Sequence, residues 1–172
     1  MKSLFFLICF LIPSFASLKA EHQNLNVSKR SFCYKNPLMC QILKNNPKIN
    51  LNYAYELSNI IYEKATKHNI NPKKFAAILA QESMYRLDAK NCKEGICNDF
   101  GIAQINKKTI ETFGFDKQRL LKDLEYSVEA GVLVLADFKR MYGSKEEYWW
   151  TRYNTSNPEK RKVYKQLVKR FL

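Results

Sequence analysis

Asn71-Pro-Lys-Lys-Phe-Ala-Ala-Ile-Leu-Ala-Gln-Glu-Ser83 is the stretch that decides the architecture. Asn71 can cap a helix, and Pro72 fits its first position, where no amide hydrogen is needed. Phe75, Ile78 and Leu79 then fall on one apolar stripe, which position 82 continues at i+7 from Phe75. Position 82 is a glutamate. An ionised carboxylate buried on such a stripe is costly, so its proton affinity should rise. A carboxylic acid that keeps its proton near neutral pH is suited to cleaving a glycosidic bond. The competing reading is a glutamate at a frayed helix end reaching back to water. For an isolated residue that plainer reading is preferred; the residues that follow Glu82 reverse the preference.

Helical spacing recurs on both sides. Ala54, Leu57, Ile61 and Ala65 predict an amphipathic helix ending near His68 and Asn69. Lys107–Phe113 predicts a short helix stopped by Gly114. Asp123 should cap the longest helix, with the stripe Leu124, Val128, Val132, Leu135, Phe138 and Tyr142, stopped by Gly143. Lys145–Thr151 reads as another short helix. The last, from Pro158, would carry Val163, Leu167, Val168 and Phe171 on one face and Lys160, Lys162, Lys165 and Lys169 elsewhere. No segment alternates with a period of two. The expected class is mainly α, a helical bundle around a cleft, with at most a small β-hairpin near residues 91–104.

The first twenty residues have the order of a secretory signal peptide: Lys2, the apolar run Leu4–Pro13, then small residues at Ser14, Ala16 and Ala20. Cleavage after Ala16 or after Ala20 fits equally, and the expected location is the periplasm or the extracellular space. Residues 21–50 are polar and basic without a clear period and read as a lead-in segment, leaving 51–172 as the main domain. The formal net charge is +13 for the whole chain and +11 without the leader lysines Lys2 and Lys19. That charge suits an anionic partner. Export makes nucleic acid the weakest candidate and bacterial cell wall, with its carboxylates and phosphates, a better one.

Cys33, Cys40, Cys92 and Cys97 follow the leader, an even number that suggests two disulfides in an exported domain. Three pairings are possible; the short spacings favour Cys33–Cys40 and Cys92–Cys97. A metal site is disfavoured, because no two cysteines are two residues apart and His22 and His68 are isolated. No cofactor is indicated, and a monomer is expected.

Three motifs follow in order: Ala77-Ile-Leu-Ala-Gln-Glu-Ser83, Asp99-Phe-Gly-Ile-Ala-Gln-Ile-Asn106 and Tyr153-Asn-Thr155, with Asn69-Ile-Asn-Pro72 upstream of the first. Together they resemble the lysozyme-like lytic transglycosylases, the soluble-transglycosylase catalytic domain, over roughly residues 51–172. The size is closer to small exported members associated with secretion and conjugation machines. The resemblance implies an α+β lysozyme-like fold and peptidoglycan glycan strands as substrate. It implies Glu82 as the acid that protonates the oxygen between N-acetylmuramic acid and N-acetylglucosamine. The same residue, then a base, would draw the muramoyl C6 hydroxyl onto C1 to leave a 1,6-anhydro end. Ser83, Gly101, Gln104, Tyr153 and Asn154 match residues that orient groups or line the cleft, with the Tyr153 hydroxyl expected to hold the acid.

The middle motif is also similar to animal-type lysozymes, and Asp99 falls where those enzymes place a second carboxylate. A retaining hydrolase requires such a partner about 5–5.5 Å away. Read without the resemblance, Asp99 is a turn residue before Gly101. A hydrolytic muramidase using Glu82 and Asp99 is therefore the second reading, and a non-catalytic wall-binding module the third. The chain departs from the transglycosylase pattern at Ala103, where methionine is usual, in the cysteine pair of Asn91–Asn98, and at Thr155-Ser156, where Ala-Gly is common.

Overall fold

The computed structural model describes residues 35–172. The leader, its cleavage points and the Cys33 half of the proposed Cys33–Cys40 pair lie outside the described residues. Seven α-helices are present among those described: α1 (Pro37–Asn45), α2 (Leu51–Lys67), α3 (Pro72–Ser83), α4 (Lys107–Phe113), α5 (Lys117–Lys122), α6 (Leu124–Tyr142) and α7 (Pro158–Lys169). A 3₁₀ helix (Trp149–Tyr153) precedes α7. Between α3 and α4 lie the strands β1 (Lys90–Lys93), β2 (Ile96–Phe100) and β3 (Ile105–Asn106), paired antiparallel in the order β1-β2-β3.

An asparagine or aspartate starts every one of these helices: Asn36, Asn50, Asn71, Asn106, Asp116, Asp123 and Asn157 each accept at least one amide hydrogen from the first turn. Pro37, Pro72 and Pro158 follow three of those caps. The abundance of asparagine, which from composition looks merely polar, thus supplies donors' partners that an uncapped helix would leave to water.

The central helix is α3. From Phe75 through Ala80 every residue is buried, so the helix is enclosed on all sides rather than along the single stripe that the spacing suggested. It packs against α1, α2 and α7. The loop Gly101–Gln104, with Ile102 and Ala103 fully buried, passes between α3 and α6.

Several elements differ from the sequence reading. The compact unit begins at Asn36, not residue 51: Leu38, Met39, Ile42 and Leu43 of α1 are buried. Helix α5 was not expected; the sequence signal was Asp116, which accepts from both Gln118 and Arg119 amides. The β element has a third strand beyond the hairpin, and Cys92–Cys97 is a disulfide across β1 and β2. The short helix expected at Lys145–Thr151 is instead the 3₁₀ helix, which begins four residues later, at Trp149, and ends at Tyr153. In α7, Val163 is 60% exposed, and Tyr164 with Val168 faces the core. The inward face is therefore displaced by one residue at its start, with consequences for the cleft.

Two glycines set how closely the layers approach. At Gly101 φ is +76°, and a Cβ there would lie 2.3 Å from the Leu120 carbonyl oxygen. At Gly131, inside α6, a Cβ would lie 2.7 Å from Ala103 Cβ and 3.2 Å from Phe75 Cζ. Helix propensity alone would make Gly131→Ala stabilising by about 1 kcal/mol. Overpacking against buried, rigid neighbours costs about 1–3 kcal/mol and should win. Gly131→Ala is thus expected to lower the midpoint of urea unfolding, and the added substitution Ala103→Gly to recover part of the loss. A Gly131→Ala protein more stable than the parent would show that α6 has room to move.

Candidate active site

Glu82 lies in the last turn of α3, two residues beyond Ala80, where the enclosed run ends. Immediately beyond it the chain reverses through Met84 and Tyr85, both non-glycine residues with positive φ, 53° and 67°. Such backbone is strained and persists only when neighbours fix it. Here they do. Tyr85 is fully buried, its carbonyl accepts from Tyr53 Oη at 2.9 Å, and its hydroxyl accepts from Asn45 Nδ2 at 3.1 Å. Asn46 Nδ2 donates to the Met84 carbonyl at 3.0 Å. Helix α1, read from the sequence as part of a lead-in, therefore clamps the turn that ends the Glu82 helix.

The Glu82 residue is partly open to a cleft of about 490 Å³, while its carboxyl is packed among protein atoms. Tyr164 Oη donates to Glu82 Oε1 at 2.5 Å. Burial pushes the Glu82 pKa up from 4.5 to about 7; the Tyr164 hydrogen bond opposes this, and the charge of Asp99 adds to it. Dehydration wins because one neutral donor returns less than the lost hydration shell. The Tyr164 and Tyr153 hydroxyls are both pushed well above the ordinary phenol range by burial, with the Glu82 charge contributing. Both phenols therefore stay protonated and remain donors.

Tyr153 does not hold Glu82. Its hydroxyl donates to the Ala103 carbonyl at 2.8 Å, and it lines the cleft with Asn154. The group on the acid is Tyr164, which sequence reasoning missed. Its signal was available: Tyr164 precedes Val168 by four and Phe171 by seven, so it shares their face.

Ser83 Oγ donates to the Ile102 carbonyl at 2.7 Å and lies 3.2 Å from the Leu79 carbonyl, so it fastens the Gly101–Gln104 loop to α3. Gln104 has φ +47° and spends its side-chain amide hydrogens on the Ala89 and Gly101 carbonyls, at 3.1 and 2.9 Å. Its amide oxygen faces no partner among the described residues and is free for a ligand in the cleft it lines. Asp99 is not a turn residue; it sits in β2, in register with Asn91 on β1 and Asn106 on β3. Asn91 Nδ2 donates to its Oδ2 at 2.8 Å and Asn106 Nδ2 to its Oδ1 at 2.9 Å. The row Asn91–Asp99–Asn106 forms one wall of the cleft.

Both tyrosine-bearing elements are tied together by Glu146, which pairs with Arg152 and Arg161 at 2.5 Å each. Arg152 also stacks on the Tyr142 ring, 3.8 Å from its centroid. The Arg152 and Arg161 hydrogen bonds hold the Glu146 carboxyl down at about 2. This cluster joins the end of α6, the 3₁₀ helix and α7, so Tyr153 and Tyr164 are placed as a unit.

The model of one family, the Transglycosylase SLT domain, matches residues 59–169. The match begins inside α2, ends with α7, and includes every cleft residue discussed above. Neither a curated protein nor a solved structure matches the chain.

Keeping Glu82 neutral destabilises the fold in a predictable pH window. Below pH 4.5 the carboxyl is protonated in both folded and unfolded chains, and nothing is lost. Between 4.5 and about 7 only the unfolded chain ionises, so stability falls as pH rises. Above that the loss is constant, on the order of 3 kcal/mol. Glu82→Gln, which can still accept from Tyr164, is expected to exceed the parent by that amount at pH 8 and to match it at pH 4, in urea unfolding. Tyr164→Phe removes the one hydrogen bond among the described residues that favours the charged form. The Glu82 titration should then move above 7 when followed by carboxyl carbon NMR; a downward move would mean that Tyr164 does not donate to the carboxylate.

Proposed function

Because the chain belongs to the Transglycosylase SLT domain family, whose activity is of the lytic, glycosidic-bond-cleaving type, we propose that it cuts peptidoglycan strands with Glu82 as sole acid and base. The observation that carries this reading is the dehydrated Glu82 carboxyl, with its pKa near 7, set in the cleft wall under the Tyr164 hydroxyl. A general acid works best when its pKa lies near the working pH, because it is then both populated and able to release its proton.

The proposed sequence has two steps. Glu82 gives its proton to the oxygen joining N-acetylmuramic acid to N-acetylglucosamine as the bond to muramoyl C1 breaks. The carboxylate left behind is stabilised by the hydrogen bond from Tyr164, the one interaction at the site that favours the charged form. It then accepts the proton of the muramoyl C6 hydroxyl, whose oxygen closes on C1. No water is consumed, and the product ends in a 1,6-anhydro ring. The strained turn and the α1 clamp keep the acid fixed through both steps, which matters because misplacement of a reacting group is costly in rate.

A second reading has a specific observation in its favour: Asp99 faces the same cleft, and its charge reaches Glu82. It would be a hydrolase in which Asp99 assists at C1. Against it, both Asp99 oxygens are held by asparagine amides, which position the group as a wall residue. The leader read over residues 1–20 supports export, and action on the wall outside the cytoplasm follows from it. Service to a secretion or conjugation machine is the setting that the small exported members suggest.

Purified protein incubated with peptidoglycan should release fragments lighter by one water than reducing-end products, as read by mass spectrometry. Glu82→Gln should slow release by roughly 10²–10⁴-fold. Activity should decline as pH rises through about 7, where Glu82 loses the proton it must deliver. Asp99→Asn should keep activity within about tenfold, since it costs the cleft wall about one hydrogen bond, from Asn91 or Asn106, and no group acting at C1. Reducing ends together with loss of activity in Asp99→Asn would replace the first reading by the second.

A further inference from the structure

Two cations in the cleft have no carboxylate to neutralise them. Arg86 follows the strained Met84–Tyr85 turn and uses Nε on the Ser83 carbonyl at 3.3 Å, which leaves the ends of its guanidinium without a partner among the described residues. Lys90 opens β1, is exposed, and makes no side-chain hydrogen bond or ion pair there. Both line the cleft. By contrast Arg119, Arg140, Arg152 and Arg161 are each paired with a carboxylate.

The cleft's own acids do not serve these cations. Glu82 is occupied by Tyr164, and the two oxygens of Asp99 by Asn91 and Asn106. Asp88, their neighbour in sequence, does not line the cleft, and its charge is felt instead at Tyr53. A flexible ammonium and a forked guanidinium at the mouth of a groove suit a carboxylate arriving with the ligand. Sugar rings carry no charge, so the anion must hang from a ring that the cleft holds.

We propose that Arg86 and Lys90 form an anion subsite that receives a carboxylate of the peptide branch on the glycan, so that the chain selects peptide-bearing strands over neutral ones. This rests on the reading of the cleft as a glycan-cleaving site. Its strength is bounded, because exposed charge pairs contribute modestly and are screened by salt.

The test uses peptidoglycan freed of attached phosphate polymers, half of it with its peptide carboxylates converted to amides. The protein should show KM about fivefold lower for the charged polymer than for the amidated one, with the gap narrowing at high salt. In Arg86→Gln/Lys90→Gln the ratio of the two KM values should approach one, whatever the absolute rate. Lys90→Glu, at an exposed strand position, should reverse the order and guards against a folding defect in the double variant. Equal KM values for the two polymers in the unaltered protein, or a preference that survives both variants, would overturn the subsite. Failure to cut either polymer would instead strike at the proposed activity, so the two failures are distinguishable.

Discussion

The proton on Glu82 is governed by a contest between dehydration and a single hydrogen bond, and much of the molecule bears on it. Helix α3 is enclosed from Phe75 to Ala80, so its last turn emerges from the core with little water around it. A glutamate there has a choice of neutralising or finding donors. It finds one, Tyr164, and that is too little to restore the ordinary pKa. A second strong donor would return the carboxyl to its charged form at neutral pH; none at all would leave the carboxylate, once formed, without support. One donor gives an acid that can both lose and regain a proton near pH 7.

Holding that arrangement requires structure well away from the cleft. The positive-φ pair Met84–Tyr85 turns the chain sharply after Glu82, and α1 and α2 secure it through Asn45, Asn46 and Tyr53. On the opposite side Glu146 binds Arg152 and Arg161, so the elements carrying Tyr153 and Tyr164 move together. Ser83 and Tyr153 grip the Ile102 and Ala103 carbonyls, which fixes the loop that brings Gln104 to the cleft. Strain and a dehydrated carboxyl both subtract from stability, and they sit together at the cleft, where the proposed chemistry would take place.

The asparagines show how one residue type serves at two scales. Several act locally as helix caps. Others act between distant segments: Asn45 and Asn46 on the α3 turn, Asn91 and Asn106 on Asp99. Composition cannot separate these uses, because a cap is decided by the next three residues and a long-range bond by the fold.

The sequence by itself determined the longer helices and their starts, since Asn71-Pro72 before an apolar stripe and Asp123 before another satisfy local rules that need no tertiary partner. Its motifs, through the family they resemble, implied a shared cleft for Glu82, Asp99, Gln104 and Tyr153, and a short loop favoured the Cys92–Cys97 pair. Only the tertiary structure decided what touches the acid. A helix face is ambiguous by one residue when apolar side chains are dense, as with Val163 and Tyr164, and packing against α3 chose the tyrosine. The same holds for α1, whose amphipathic stretch is too short to declare itself and is recognised only by the turn it clamps. Hydrogen bonds that cross from one segment to another depend on where the backbone finally runs, and that is set by the whole core at once.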